Sequence, residues 1–243
     1  MMENYKNYID DNIDNLESEL IILCKKIKVA LNDSYNNFLD INQLTKIINN
    51  MISETILLFL DVPIISKIST FLERSNIYWL VNPFCNQTLV SSINISLIFE
   101  DTPYIGCIYI PSSNFLYFSK RFCIPKIISI NTQTKLNILC HTKNYEDKEL
   151  RVIINHNFKN NHLVNILNVP KISYTDSILS LLTIINNHND IVFNDNGVME
   201  WDLAPLDLII NESGGKVRDL SRNLIKYNSE NFKINTVYAT CGL

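Results

Sequence analysis

The segment Met199–Lys216 constrains the fold of this chain more than any other stretch. It reads MEWDLAPLDLIINESGGK. Asp202 is placed to begin a helix, where a carboxylate caps free backbone N–H groups and meets the positive end of the helix dipole. The Gly-Gly pair at 214–215 can end that helix in a left-handed turn. We therefore predict a helix over Asp202–Ser213, anchored on its apolar side by Trp201.

The bulk composition allows a real core and argues against two classes of partner. The chain has 243 residues, 47% of them hydrophobic, which is enough for one large domain or two small ones. A formal net charge of −4 argues against a nucleic acid or an anionic membrane as partner. The most apolar segment, Ile52–Ile68, contains Glu54, Asp61 and Pro63, so it is too interrupted to span a bilayer. No export signal is evident in residues 1–19, so we expect a cytoplasmic protein with reduced thiols.

The first half of the chain begins with helical spacing and then changes to the spacing of strands. Apolar residues recur at helical intervals over Leu16–Leu31 and again over Ile41–Leu60, which Asp40 is placed to cap. Beyond Asp61 the runs are short and rich in β-branched and aromatic residues, and the last three of them indicate an antiparallel meander. The predicted strands are Val62–Ser66, Ile77–Val81, Ile93–Phe99, Tyr104–Ile110 and Phe115–Ser119.

The second half, beginning near Thr132, alternates strands with helices, so its sheet should be more parallel. The predicted elements are strands Lys135–Cys140, Val169–Tyr174 and Ile191–Phe193, with helices Asp147–Asn155, Ser177–Asn187 and Asp202–Ser213. No linker rich in Gly, Ser or Pro separates the halves. We therefore predict two packed sub-domains, 1–131 and 132–243.

Five stretches spread along nearly the whole chain carry a family resemblance. They are Asp61–Ser66, Tyr78–Val81, Ile93–Pro111, Met199–Asp202 and Lys226–Ala239. Together they resemble the inositol-monophosphatase superfamily, and within it the CysQ branch, the 3'(2'),5'-bisphosphate nucleotidases. The resemblance implies a mixed α+β and α/β fold, a layered αβαβα sandwich with an antiparallel N-terminal sheet and a smaller mixed C-terminal sheet.

The resemblance also maps the family's metal ligands onto this chain. Phosphate-ester hydrolysis in the family uses clustered Mg²⁺ ions bound by carboxylates. Three of the four mapped ligand positions are Lys67, Asn82 and Cys85, so only the fourth, Asp202, is still a carboxylate. The Asn82 amide oxygen would coordinate weakly, and a neutral thiol at Cys85 is a poor Mg²⁺ ligand. We therefore expect at most Asp202 as a metal ligand and no resident cofactor, with Mg²⁺ entering only if activity remains.

Lys67 is the sharpest departure, because it puts an ammonium where the family has a carboxylate. Two opposite charges at about 4 Å attract by roughly 4 kcal/mol at an effective dielectric of about 20. A lysine in place of the carboxylate would repel a bound metal ion instead of attracting it. Two interpretations stay open. Either Lys67 takes the place of the metal and pairs with Asp202, or it points to solvent.

The phosphate-binding positions are altered as well. The family's Gly-Thr presents backbone N–H groups to a phosphate at a helix N-terminus, and the corresponding loop here contains Asn86, Gln87 and Thr88. Asn tolerates a left-handed conformation, so the loss is partial. The substrate-segment positions are Asp176, Ser177 and Glu200, and a carboxylate at Asp176 would repel a phosphate.

Nearly every retained motif residue is explained by folding, and nearly every altered one had a chemical duty in the family. We therefore hypothesise a catalytically inactive CysQ-like protein with a binding or interaction role. One alternative is a residual Mg²⁺-dependent bisphosphate nucleotidase or inositol-phosphate phosphatase, and another is a metal-free sensor of a phosphorylated small molecule. A homodimer is also possible, because members of the superfamily often pair.

Overall fold

The computed structural model describes residues 2–37, 40–69, 75–85, 92–140, 151–155, 171–175, 177–186, 190–194 and 197–241. No helix in this part of the chain combines the length with the apolar character that a bilayer crossing demands. The predicted elements that fall partly on other residues, such as 147–150 and 169–170, are compared only where the two overlap.

Two helices form the outermost layer on one side. Helix α1 spans Met2–Asn37 and helix α2 spans Ile41–Phe59, so α1 is much longer than predicted. It starts earlier because Ile9, which is fully buried, extends the apolar stripe through the acidic beginning of the chain. Asp40 is the N-terminal cap residue of α2, as predicted, but its side chain makes no capping hydrogen bond.

A large sheet lies under these helices. Within the described residues it has seven strands in chain order, β1 pairing in parallel with β2 and every later neighbour pairing antiparallel. The predicted meander is therefore confirmed. The strands are β1 Ile64–Ser66, β2 Ile77–Cys85, β3 Ser92–Phe99, β4 Thr102–Ile110, β5 Phe115–Lys120, β6 Lys126–Ser129 and β7 Lys135–Asn137.

The two faces of this sheet serve two different cores, because successive side chains of a strand point to opposite faces. Trp79 lies on the helix side, where it is fully buried and its Nε1 donates to the Leu60 carbonyl over 3.1 Å. Tyr78 and Leu80 lie on the other side, in a second apolar cluster. Asn82 follows them at the same spacing of two, so it also faces this inner side.

The inner side is covered by helix α3, Glu200–Glu212, which contacts strands β2 to β5. Its approach is close at Gly106, where an added Cβ would lie 3.0 Å from the Pro205 Cα atom. The helix ends at Glu212, and Gly214 just beyond it has a φ of 96°, the left-handed turn that the sequence predicted.

A second, smaller sheet lies beyond α3. Its described strands run in the order β12, β14, β10, β8, β9, with β8 parallel to both β9 and β10 and the other pairs antiparallel. The predicted layered fold, with a larger antiparallel sheet and a smaller mixed one, is therefore confirmed. The elements are β8 Arg151–Asn155, β9 Lys171–Thr175, a 3-10 helix Ile178–Thr183, β10 Ile191–Asn194, β12 Lys216–Asp219 and β14 Val237–Thr240, with β11 Val198–Met199 pairing separately with β13 Lys233–Ile234.

Of two predicted helices in the second half, one is wrong and the other is shorter than predicted, where they can be compared. Residues Arg151–Asn155 form the strand β8, because β-branched Val152, Ile153 and Ile154 are all buried in a sheet covered on both faces. The segment predicted as a helix from Ser177 is a short 3-10 helix. The proposed boundary at 131 is crossed by pairing, since β7 lies on the far side of it and hydrogen-bonds with β6.

Candidate functional site

The candidate site lies where the end of β2 meets the first turn of α3. Asn82 is fully buried there, and the pairing of β2 with β3 shifts register between Asn82 and Cys85. The Asn82 Oδ1 atom accepts a hydrogen bond from the Phe84 backbone N–H over 3.1 Å. This bond spans two residues and closes a side-chain-to-backbone turn, so it fixes the orientation of the amide.

The other end of the Asn82 amide is directed at the one carboxylate that remains from the mapped set. Asn82 Nδ2 donates to Asp202 Oδ1 over 2.5 Å, a short contact that joins the large sheet to α3. Asp202 is the third residue of α3, and the helix is preceded by Met199 without a side-chain cap. The prediction that Asp202 begins the helix is therefore wrong by two residues. Its carboxylate still lies in the first turn, where the helix dipole favours negative charge.

Lys67 follows β1 and extends that strand's pairing, since its backbone N–H donates to the Val81 carbonyl over 3.0 Å. Its Nζ atom donates to the Phe84 carbonyl oxygen over 3.2 Å, and the side chain is exposed. Among the described residues no ion pair joins Lys67 to Asp202. The pairing with Asp202 is therefore absent among the described residues, and the exposed side chain agrees with the solvent-facing interpretation, with its ammonium also contacting the Phe84 carbonyl.

The other mapped positions are described only in part. Cys85 is the last residue of β2 and lies opposite Ser92 in the register, but its side chain is outside the described residues. The phosphate-loop positions Asn86, Gln87 and Thr88 and the substrate-segment residue Asp176 also lie outside them.

Ser177 and Glu200, by contrast, are described and have local structural partners. The Ser177 Oγ atom accepts from the Leu179 backbone N–H over 3.2 Å and so caps the 3-10 helix. Glu200 is fully buried, and its two carboxylate oxygens accept from the backbone N–H groups of Asn228 and Ser229 over 2.8 and 2.7 Å. Glu200 thus fixes the loop that precedes β13.

Sequence reasoning missed three polar side chains on β3 that lie in the same layer. Ser92, Asn94 and Ser96 are all buried, and Asn94 lies directly opposite Asn82 in the register. Ser92 Oγ donates to Asn94 Oδ1 over 3.0 Å, whereas Asn94 Nδ2 and Ser96 Oγ find no hydrogen-bond partner within the described structure. The signal was present in the sequence, because polar residues alternate there with isoleucine and leucine at the period of a strand.

Comparison with known proteins identifies the family. The family model described as "Inositol monophosphatase family" matches residues 71–241, which is more than half of the chain. The chain belongs to the inositol monophosphatase family. No curated protein sequence matches this chain significantly.

Several solved structures of distant relatives have the same fold as this chain. CysQ from Bacteroides thetaiotaomicron has a TM-score of 0.72 at 14% identity, over 95% of this chain and 98% of that one. Inositol monophosphatase II from Staphylococcus aureus has a TM-score of 0.75 at 15% identity, over 95% and 90%. The Thermotoga maritima inositol monophosphatase has a TM-score of 0.71 at 17% identity, over 95% and 93%. At these identities the likeness shows the fold alone.

Proposed function

We propose that this inositol monophosphatase family member does not hydrolyse phosphate esters and serves instead as a binding or interaction protein. The observation that carries the proposal is the hydrogen bond from Asn82 Nδ2 to Asp202 Oδ1. An amide N–H group, rather than a cation, lies against one oxygen of the carboxylate that a metal ion would use.

The donor set around that bond does not fit a magnesium site. Mg²⁺ requires oxygen ligands, several of them anionic, in a nearly octahedral frame. Here the Asn82 oxygen already accepts from the Phe84 backbone, and the ammonium of Lys67 lies on the carbonyl of the same Phe84. In the described part of the chain, no three His, Cys, Asp or Glu side chains are arranged to hold a metal ion.

A second candidate function, a metal-free phosphate receptor, is favoured by the position of Lys67. Its exposed ammonium has three donor hydrogens, and the Phe84 carbonyl is a neutral acceptor for only one of them. The remaining donors can meet an anion that approaches from solvent. Staphylococcal relatives of the same fold have been solved with inositol monophosphate and with 2'AMP, so we propose a phosphorylated small molecule as the ligand.

Phosphate release tests the proposal directly. The purified protein is incubated with adenosine 3',5'-bisphosphate or inositol 1-phosphate, with and without MgCl₂, and released phosphate is measured. We expect no release above the buffer rate in either condition. Metal-dependent turnover would overturn the proposal and would support a residual Mg²⁺-dependent phosphatase.

A restored variant provides the positive control. It combines Lys67→Glu and Cys85→Asp with Asn82→Asp, Asn86→Gly and Gln87→Thr, because metal ligands act as a unit and single changes recover little. Phosphate release by this variant, but not by the wild-type protein, would show that the fold still supports catalysis when the carboxylate ligands are restored.

Ligand binding separates the two candidate functions. A rise in melting temperature with adenosine 3',5'-bisphosphate, unaffected by MgCl₂ and lost in Lys67→Met, supports the phosphate receptor. No shift with either phosphate ester leaves the interaction role as the proposal. Pairing of two copies and a cytoplasmic location also stay predictions; sedimentation of the purified protein and localisation of a tagged chain test them.

A further inference from the structure

A groove runs between helices α1 and α2 on the outer side of the molecule. The helices are antiparallel, since Tyr8 near the start of α1 and Phe59 at the end of α2 have ring centroids 5.8 Å apart. The groove has a volume of about 300 Å³. It is lined by Tyr8, Asn12, Asn15, Leu16, Glu19, Thr55, Leu58 and Phe59. It lies on the helix side of the large sheet, whereas Asn82 faces the other side, so it is separate from the candidate site.

The α1–α2 groove presents large apolar side chains to water. Leu58 is 88% exposed, more than any other large apolar side chain of the described residues, and Tyr8 is 44% exposed. Ile22 on α1 and Ile47 on α2 are exposed as well, and helical periodicity places them on the same stripes as Tyr8 and Leu58. At about 1.5 Å per residue, the apolar row from Tyr8 to Ile22 is about 20 Å long. That length matches a docked helix of about four turns.

The charges beside this row are acidic. Glu19 is the charged residue in the lining of the groove, and its side chain is exposed. Glu54 precedes Leu58 by one turn of α2, and Asp11 follows Tyr8 by one turn of α1, so both exposed carboxylates border the groove. Within the described residues, none of these three carboxylates is in an ion pair. Their charge is therefore available to a partner.

This charge pattern argues against a second copy of the chain as the occupant. A two-fold dimer would place the same surface patch against itself, so its acidic groups would face acidic groups. Glu19 lies near the middle of the row and would approach its own counterpart. Lys26, one turn beyond Ile22, is a cation on the α1 stripe, but one lysine does not balance three carboxylates. The same three carboxylates would repel an anionic membrane.

We propose that the α1–α2 groove binds an amphipathic helix with a basic polar face, presented by another protein. In helix-in-groove recognition, apolar side chains at positions i, i+3, i+4 and i+7 enter the groove of the partner. Here they would contact Leu58, Tyr8 and Phe59. Lysine or arginine side chains beside that apolar stripe would pair with Glu19 and Glu54, which supplies specificity and speeds the encounter.

A designed peptide tests the proposal on the full chain. The probe is a fluorescein-labelled peptide of leucine and lysine, about 14 residues long, with leucine at i, i+3, i+4 and i+7. One control replaces each lysine by glutamate, and a second has the same composition in an order without a helical stripe. Fluorescence anisotropy should show binding of the basic amphipathic peptide and at least tenfold weaker binding of both controls. Added NaCl should weaken the binding, because the ion pairs are at the surface.

Substitutions in the groove show where the peptide binds. Leu58→Ser, and separately Glu19→Lys combined with Glu54→Lys, should each weaken binding of the basic peptide by tenfold or more. These side chains are exposed in the free protein, so the variants should keep the wild-type melting temperature. The matched controls are Leu224→Ser and Glu230→Lys, which change exposed residues between β12 and β13 and should leave the affinity within about twofold.

Reversed charge gives the sharpest outcome. The variant with Glu19→Lys and Glu54→Lys should bind the glutamate peptide better than the lysine peptide, which a general stickiness of leucine would not produce. Equal binding of the three peptides by the wild-type protein would overturn the proposal. An affinity for the basic peptide that Leu58→Ser and the charge-reversed variant leave unchanged would also overturn it. Phosphate release is not involved in any of these measurements, so their failure is distinct from failure of the proposed function.

Discussion

Tyr227 donates its hydroxyl hydrogen to Asp207 Oδ2 over 2.8 Å in the layer between the two sheets. Asp207 lies on helix α3 and is buried, and its other carboxylate oxygen accepts from Asn211 Nδ2 over 2.5 Å. Burial raises the pKa of Asp207 to about 7, although the Tyr227 hydroxyl and the positive charge of Arg218 act in the opposite direction. A carboxyl group that titrates near neutrality thus links α3 to the C-terminal segment.

This carboxyl group should make stability depend on pH. Between its ordinary pKa of 3.8 and about 7, the folded chain keeps the proton on Asp207 while the unfolded chain loses it. The contribution of Asp207 to stability is therefore complete below the lower value and is lost as the pH rises through the higher one, by up to about 4 kcal/mol.

The substitution Asp207→Asn should remove that dependence while keeping an oxygen that accepts from Tyr227. Urea unfolding from pH 4.5 to 8 should give a wild-type free energy of unfolding that falls relative to the variant as the pH rises. A difference between the two proteins that stays constant over this range would contradict the prediction.

A second prediction concerns Glu17 of α1, which is only 2% exposed. It accepts from the ammonium groups of Lys126 over 2.9 Å and of Lys135, on β6 and β7. Burial raises the pKa of Glu17, but the hydrogen bonds from the two lysines prevail and the pKa is lowered. Its stabilising contribution is therefore present above the ordinary pKa and is lost as the pH falls through the folded value.

Substituting Glu17→Gln should lower the free energy of unfolding by about 1–3 kcal/mol, since two ammonium groups lose their carboxylate and solvent screens part of the loss. Lys28→Met is a matched control, because Lys28 Nζ donates to the Asn131 amide oxygen over 3.3 Å rather than to a carboxylate. Denaturant unfolding should place the control within about 0.5 kcal/mol of wild type. Equal losses in the two variants would show that Glu17 acts only as a surface charge.

The close approach of α3 to the large sheet gives a third prediction. An added Cβ at Gly106 would lie 3.0 Å from the Pro205 Cα and 3.3 Å from the Pro205 carbonyl oxygen, both of them backbone atoms. Gly106→Ala should therefore destabilise the fold by about 1–3 kcal/mol, because a helix backbone cannot yield as a side chain can.

The neighbouring residue Ser119, opposite Gly106 in the register, provides the control for this change. Its buried hydroxyl makes only a long contact of 3.4 Å to the Lys120 carbonyl, so Ser119→Ala should cost much less. Thermal unfolding measures the loss of stability in each variant, and we expect the larger loss in Gly106→Ala. A Gly106→Ala protein as stable as wild type would mean that α3 is not held against β4 at this distance.

The fourth prediction concerns Asn82→Asp. This substitution puts a second carboxylate oxygen within hydrogen-bond distance of Asp202 Oδ1, where the amide N–H is now. Like charges so close are unfavourable, so the melting temperature should fall at neutral pH and recover as the pH is lowered and one group is protonated. Adding MgCl₂ should not restore it. Recovery with millimolar MgCl₂ but not with NaCl of equal ionic strength would show that the remaining donors hold a cation.

Much of the architecture could be predicted from the sequence because apolar residues recur at regular intervals along it. The β-rich runs from Ile93 to Ser119 are separated by short polar breaks, which predicted their antiparallel pairing, and the Gly-Gly pair after α3 predicted its left-handed end. The 151–155 segment failed because Val, Ile and Ile in succession fit a buried strand and a buried helix equally well. The neighbours β9 and β10, distant in sequence, decide for the strand.

The choice of site residues is a prediction from the sequence alone, since the resemblance maps Lys67, Asn82 and Asp202 onto positions that bind metal in the family. Their partners were decided by the tertiary structure. Lys67 donates to a backbone carbonyl and Asn82 donates to Asp202 because the end of β1, the end of β2 and the first turn of α3 converge, although Asn82 and Asp202 are 120 residues apart in the chain. Residue types and periods are local properties, whereas a hydrogen bond depends on where the rest of the chain places its acceptor.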